Sequence, residues 1–298
     1  MPTNYATQYQ QALDQPFKAG LKSEALYDYN RTSTNRFRFV EGKTIKVSTL
    51  TVEGMNDVDR DNIEWATRRH SNEWKSYELS HDREFDTLVD PMDVDETNLV
   101  YSMGNISGEF VRRQLIPEMD KYMFSKLYAD LDALNVTFNT DNITDGDTAL
   151  ATFDKLMEKM DEDEVPEEGR IAYVTPEIHR FLKEALNSSR QLGTTRSITD
   201  VNRIIGRLDE VDLIKVPSAR MKTAYDFTGS PVPATGAETM RMIIIHPESI
   251  IAPMKVDTAM MSEPTAATKG KWIYYQRQYW DVFVLAEKHQ GIAINVTT

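Results

Sequence analysis

Side chains able to hold a metal or move a proton are plentiful in this chain, and their spacing decides whether any act together. Asp90, Asp93, Asp95 and Glu96 crowd into one short stretch and could offer oxygen ligands to calcium or magnesium. The stretch lacks the sixth-position glycine and the closing glutamate of an EF-hand, so a solvated turn or an intersubunit ion pair is the simpler reading. A metal-dependent hydrolase built on these four carboxylates is the enzymatic alternative. The five histidines, at positions 70, 81, 179, 246 and 289, lie far apart, and none has the i, i+4 partner of a helical zinc pair. Packing or ordinary hydrogen bonding accounts for them. Gly42-Lys43-Thr44 ends like a phosphate-binding loop, but Phe37 stands where the first glycine must be, and a strand pattern follows instead of a helix. Neither G-x-G-x-x-G nor G-x-S-x-G occurs. The residues therefore assign no catalytic, metal or cofactor site.

The bulk properties narrow the classes further. The chain has 298 residues, 40% of them hydrophobic and 27% charged, which is the balance of a chain that folds around a core of about two domains. A net charge of −13 argues against a protein that grips nucleic acid with its general surface, because phosphate binding needs clustered Lys and Arg. Arg68, Arg69 and Lys75 are basic, but Asp57, Asp59, Asp61, Glu64 and Glu73 surround them. Mixed charge of that kind suits pairing with another protein. With zero cysteines there is neither a disulfide framework nor a thiolate metal site. No apolar run reaches the roughly 18 residues of a membrane span, and the first residues lack the pattern of a signal peptide.

The elements that must position these residues follow from periodicity. From Asn105 to Leu134 the spacing of Met119, Tyr122, Met123, Leu127, Leu131 and Leu134 predicts one buried helix face, with Asp120, Lys121, Lys126, Asp130 and Asp132 on the rest. Asn105 or Ser107 can cap its start, and Pro117 requires a kink or a restart. Tyr5, Tyr9, Leu13 and Phe17 repeat every four residues within an otherwise extended, polar arm. Thr44–Val52 reads as a strand with a bulge or a change of partner, since Ile45 and Val47 oppose Leu50 and Val52. Tyr77 to Val89 alternates strictly and reads as its return strand, making a hairpin around a charged tip. A helix is expected over Thr148–Met160, a strand at Arg170–Val174, and a helix begun by Thr175-Pro176 whose inner face is Ile178, Phe181, Leu182 and Leu186. A short helix over Thr199–Ile205 and strands at Val211–Val216 and Met240–Ile245 complete an α/β unit. The interval Thr223–Glu238, with Gly229, Pro231, Pro233 and Gly236, is a loop. Trp272 to Leu285 reads as one strand apolar on both faces, and a turn at Glu287–Gly291 leads into Ile292, Ile294 and Val296.

The order of these parts resembles the major capsid proteins of tailed bacteriophages, the HK97-like fold. The phrases that carry the resemblance are WKSYELSHDREFDTLVDPMDVDET, FVRRQLIPEMDKYMFSKL, VNRIIGRLDEVDLIKVPSARM and RQYWDVFVLAEKHQGIAIN. The stretch Asp82-Arg83 to Glu96 and the run Pro117-Glu118-Met119-Asp120 are the most specific. The resemblance implies an α+β fold with an N-terminal arm over 1–43 and an extended β-hairpin, the E-loop, over 44–88. It also implies a peripheral P domain with the long spine helix over 89–147 and 252–298, and an α/β axial A domain over 148–251, with Thr223–Glu238 at the capsomer axis.

What such a protein does is equally an expectation of the resemblance. Copies would assemble into pentamers and hexamers of an icosahedral head enclosing DNA, in a virion built in the host cytoplasm, with no enzymatic activity, no cofactor and no membrane contact. The partners implied are the chain itself, a separate scaffolding protein (the arm being short for a built-in one), a portal, and a possible decoration protein. DNA would be enclosed without sequence-specific binding. Tyr5, Tyr9, Asp61, Glu64, Arg68, Arg69, Pro231 and Pro233 are the candidate intersubunit contacts. Lys75 lies on a strand and not at the hairpin tip, so the lysine crosslink of some relatives is not carried over. An encapsulin-like compartment holding cargo enzyme is the alternative within the same fold.

Overall fold

A computed structural model of the chain describes residues 20–32, 37–41, 43–55, 68–96, 103–190 and 206–297. Tyr5, Tyr9, Asp61, Glu64, the helical repeat of the arm and the expected helix at Thr199–Ile205 lie outside the described residues.

The core is a five-stranded sheet in the spatial order Ile292–Val296, Met240–Ile245, Ile171–Val174, Val211–Lys215 and Arg207–Leu208. Met240–Ile245 runs antiparallel to both of its neighbours, and Ile171–Val174 runs parallel to Val211–Lys215 across a connection that contains the helix Pro176–Arg190. A strand buried on both faces reads as a continuous apolar run, as residues 242–245 do within Met240–Ile245. Alternation then divides the layers. Ile171, Tyr173, Ile243, Ile245, Ile292 and Ile294 pack toward the spine helix, whereas Ala172, Val174, Met242, Ile244 and Ala293 pack toward the helices Gly146–Glu162 and Pro176–Arg190. Those two helices approach closely at Gly146, where a Cβ would stand 2.8 Å from the Ala185 amide nitrogen. The Gly146–Glu162 helix starts at a capping box in which Asp145 Oδ1 accepts from the Thr148 amide at 2.8 Å.

The spine helix has a restart at its proline. An α-helix over Met103–Phe110 opens into a π-helical turn, Val111–Leu115, and an α-helix resumes over Ile116–Ala133. Pro117 has no N–H to give, and its ring crowds the carbonyl four residues back. The turn before it is widened, so that the Ile116 amide bonds the Val111 carbonyl instead. Three expectations change here. Asn105 and Ser107 lie within the helix, because it starts at Met103, and do not cap it. Leu134 is exposed past the last turn. Asp120, expected on the polar face, is fully buried, as Glu118 nearly is. The helix is covered on more than one side because Leu26 and Tyr27, from the helix Glu24–Thr32, pack into the same cluster as the sheet, Trp280 and Val282.

The hairpin forms, but not with the expected return strand. Thr44–Val52 pairs with His70–Glu78 and with Arg38–Glu41, while His81–Val89 pairs with Trp272–Trp280 in a separate sheet. The alternating run from Tyr77 to Val89 thus spans two strands that part at Leu79-Ser80. Ser80 fixes the break by donating its amide (2.7 Å) and hydroxyl (3.1 Å) to Asp281 Oδ2. No bulge interrupts Thr44–Val52 against His70–Glu78; Leu50 and Val52 are simply exposed beyond the root. The irregularity falls in the neighbouring strand, between Phe39 and Glu41. The expected Trp272–Leu285 strand is likewise broken at Asp281, and Phe283–Val284 pairs with Ile250–Ile251. An unanticipated strand, Met254–Ser262, completes a three-stranded platform with Trp272–Trp280 and His81–Val89.

Leu127 sits fully buried where helix, sheet and Trp280 meet. An unpaired charge there costs several kcal/mol, comparable with the ~5–15 kcal/mol that a whole domain has to lose. Leu127→Asp is therefore expected to abolish cooperative unfolding, as followed by circular dichroism.

Candidate intersubunit surfaces

Residues paired across antiparallel strands share a face, so register defines what each sheet presents. On the hairpin, Arg38, Lys46 and Ser76 align, as do Ser48 with Trp74, Leu50 with Asn72, and Val52 with His70. This face is open: Trp74 is 54% exposed, Leu50 67% and Val52 66%. Its described charges along the shaft are Arg38 and Lys46, and carboxylates are confined to the root, where Glu78 faces Thr44. Arg38, Phe39, Val40, Lys46 and Trp74 line a shallow depression of about 340 Å³. The opposite face turns Ile45, Val47 and Tyr77 onto Leu79, Ile251, Tyr279 and Phe283, which plug the root. Lys75 Nζ adds an exposed ion pair with Glu287 at 2.5 Å. Exposed pairs are screened and contribute little, so the apolar plug holds the hairpin in place.

The platform's outer face has the opposite character. Asp82, Glu84, Asp86 and Leu88 align with Tyr279, Arg277, Tyr275 and Ile273, and these with Val256, Thr258, Met260 and Ser262. Leu88 is 59% exposed and Met260 60%. Arg277 engages Asp82 through two hydrogen bonds, Nε–Oδ1 at 2.9 Å and Nη2–Oδ2 at 2.5 Å, and holds that carboxyl below the usual carboxylate range. Glu84 accepts from a neutral donor, Tyr275 Oη at 3.2 Å, and Asp86 is exposed. The face is therefore acidic and apolar, where the shaft of the hairpin face is basic and apolar.

The third projection is the Thr223–Glu238 loop. It folds into a two-stranded pairing of Tyr225–Asp226 with Val232–Pro233. Val232 and Pro233 are exposed, whereas Pro231 is buried in its own chain, its carbonyl accepting from Lys121 Nζ at 2.8 Å. Arg68 is exposed and Arg69 half-buried, and the Arg69 carbonyl accepts from the Glu53 amide at 2.9 Å.

Beneath these surfaces lie buried charges that periodicity missed. Asp120 accepts from the Lys22 amide (3.0 Å), the Ser23 amide (2.9 Å), Ser23 Oγ (2.7 Å) and Arg220 Nη1 (2.7 Å). Asp281 accepts from Tyr122 Oη at 2.6 Å, and burial together with that carboxylate pushes the Tyr122 phenol up. Glu118 accepts from Arg83 Nε at 2.7 Å, with His81 Nε2 3.5 Å away. The available signal was Phe124 and Tyr128 off the main apolar stripe, since a helix apolar on several sides is covered on several sides.

Of the carboxylates first considered as ligands, Asp90 has other partners. Asp90 Oδ1 accepts from the Met92 amide at the start of the helix Pro91–Glu96, and Asp90 Oδ2 lies 3.8 Å from Lys271 Nζ. The side chains of Asp95 and Glu96 are outside the described set, and among the described residues no group of three or more His, Cys, Asp or Glu could hold a metal ion. His81 stacks on Tyr122 at 3.8 Å between ring centroids, and His289 Nδ1 lies 2.7 Å from the Ala286 carbonyl. No helix among the described residues is long and apolar enough to cross a membrane.

A spine helix packed against a mixed sheet, together with a long hairpin and a three-stranded platform, belongs to the HK97-like capsid fold, and the chain has it. Among solved structures, a capsid structure of the cyanophage P-SCSP1u superposes with a TM-score of 0.68 at 11% identity, covering 99% of this chain and 93% of that one. The mature capsid of bacteriophage PhiM1 gives 0.66 at 12% identity over 98% and 91%. A structure from Mycobacterium phage Che8 gives 0.61 at 12% over 99% and 98%. No family model matches the sequence, and no curated protein does.

Two measurements probe the charges. Asp120→Asn leaves Arg220 buried without its counter-ion, a change expected to lower the unfolding free energy by about 3–5 kcal/mol in urea titrations. Glu287 is held below its ordinary 4.5 and Lys75 above its ordinary 10.5, each chiefly by their mutual hydrogen bond. Their contribution is therefore full between those values. It is lost as pH falls through the lowered Glu287 value or rises through the raised Lys75 value. Glu287→Gln should lower Tm slightly at pH 7 in low salt, and the difference should shrink as the pH is lowered through the depressed Glu287 value.

Proposed function

We propose that copies of this chain close into rings of five and six and then into an icosahedral phage head around packaged DNA. The observation that carries this reading is that one chain presents two open sheet faces of matching apolar content and opposite charge. A monomer gains nothing from leaving Trp74, Leu50, Leu88 and Met260 in water. A hairpin laid over the platform of the next copy would cover both faces. Such a head-to-tail contact propagates into rings when the rotation closes. Many modest contacts of this kind add up through avidity, so no single interface has to be tight.

On this reading 1–43 is an arm and 44–88 the overlapping hairpin, with 89–147 and 252–298 the peripheral domain and 148–251 the axial domain. Arg68 and Arg69, with Asp61 and Glu64, would meet a neighbour near the hairpin tip, and Tyr5 and Tyr9 would do so along the arm. Val232 and Pro233, following Pro231, would meet their copies at the ring axis. The role is structural and not enzymatic. A scaffolding protein and a portal would assist assembly, a decoration protein could bind outside, and the finished product would be the virion. The net charge of −13 suits an enclosure that does not trap its own DNA.

Charge exchange tests the proposed contact. Lys46→Glu and Glu84→Lys each place like charges opposite one another and should reduce assembly at least about tenfold. The chain carrying both changes restores the attraction and should recover closed particles in electron micrographs. A folded wild-type chain that stays monomeric beside its scaffold would overturn the reading, and particles filled with protein cargo would redirect it to a compartment shell.

A further inference from the structure

The loop Thr223–Glu238 is held by its backbone, and from outside itself. Arg83 Nη1 donates to the Phe227 carbonyl at 2.7 Å and Nη2 to the Gly229 carbonyl at 2.7 Å, while Lys121 Nζ donates to the Pro231 carbonyl at 2.8 Å. Three alternate carbonyls are thus each met by a cation, one cation from the platform and one from the spine. Asp226 is turned back on Thr228, accepting from its amide at 2.9 Å and its hydroxyl at 2.8 Å. Glu118 aims the guanidinium: its carboxylate is nearly buried and takes Arg83 Nε at 2.7 Å, which leaves the two Nη groups directed at the loop. Below them Phe227 meets the rings of His81 and Tyr122 edge-on, each at 5.4 Å. A cavity of about 320 Å³, lined by Phe85, Phe110, Gln114, Gly229 and Ser230, lies beside the clasp, so the loop has room for another pose.

Strand alternation gives this clasp its second connection. Arg83 points inward from the strand whose outward residues are Asp82, Glu84 and Asp86, the acidic row of the platform. We infer that Arg83, aimed by Glu118 and assisted by Lys121, is the positioning residue that sets the angle of this loop, so that one strand links the platform's outer contact to the contact at the ring axis. The part about ring closure rests on the assembly reading above; the part about loop pose does not. A planar fork matters here, because a lysine would keep the charge but could not reach two carbonyls and a carboxylate at once.

Arg83→Gln, Arg83→Lys and Lys121→Gln separate these parts. Amide hydrogen exchange within 223–238 of the unassembled chain should accelerate by about tenfold or more in Arg83→Gln, less in the other two, with exchange in the central sheet unchanged. In assembled material Arg83→Gln should give particles of mixed diameter and irregular ring number, with Arg83→Lys intermediate. Because Glu118 would be left buried without its cation, the double variant Arg83→Gln with Glu118→Gln provides the comparison should the single variant unfold. Unchanged loop exchange and uniform shells in a folded variant would overturn the inference. Accelerated exchange in a protein whose wild type never forms shells would keep the clasp and discard the assembly reading.

Discussion

A carboxylate with no exposed surface fixes the arrangement of this molecule. Asp120 sits inside, and its charge is compensated by Arg220 and by the amides and hydroxyl at Lys22 and Ser23. The Arg220 guanidinium also donates to the Gly20 carbonyl at 3.0 Å, so segments about a hundred and two hundred residues apart are tied at one point. Burying such a pair gives little net stability, because desolvation offsets most of the attraction. What it contributes is register. A helix greasy on several sides could rotate or slide against the sheet at little cost, but any displacement that parts Asp120 from its donors leaves a bare charge in a dry interior. The N-terminal segment, the spine and the turn before the loop are therefore set relative to one another by chemistry and not by shape alone.

Around that fixed centre the molecule is polarised. Inside, alternation along Ile171–Val174 and Ile292–Val296 satisfies two layers at once. Outside, the hairpin and the platform leave faces that no part of the described chain covers. Their charges are opposite, and on each the exposed apolar residues continue past the charged ones. The Ser80–Asp281 contact keeps these two regions distinct by ending one strand and beginning the next within two residues. The same Asp281 receives the Tyr122 hydroxyl, so the boundary between hairpin and platform is pinned to the spine.

How far the fold could be read from sequence follows from where each segment finds its cover. Met240–Ile245, Gly146–Glu162 and Pro176–Arg190 were legible because their partners lie in the same chain and impose a period on them. His70–Glu78 was not legible as a strand, since neither of its faces is buried along most of its length and nothing selects for alternation. Met254–Ser262 was missed for the same reason. The continuous alternation from Tyr77 to Val89 misled because two consecutive strands keep the same phase across their break. Asp120 was misplaced because period alone assigns a carboxylate to solvent, and only the distant Arg220 makes the opposite placement possible. Of the surfaces, the acidic row could be read only once its register with Arg277 and Tyr275 was known.

The widened turn ahead of Pro117 has a mechanical meaning. A regular helix resists bending because its main-chain bonds must be stretched or broken on one side. At Val111–Leu115 the ladder is already shifted by one residue, and the imino acid that follows contributes no donor to it. Flexure at that point sacrifices fewer main-chain bonds than it would elsewhere along the rod. The rod is stiff where it carries the core and compliant where it leaves it.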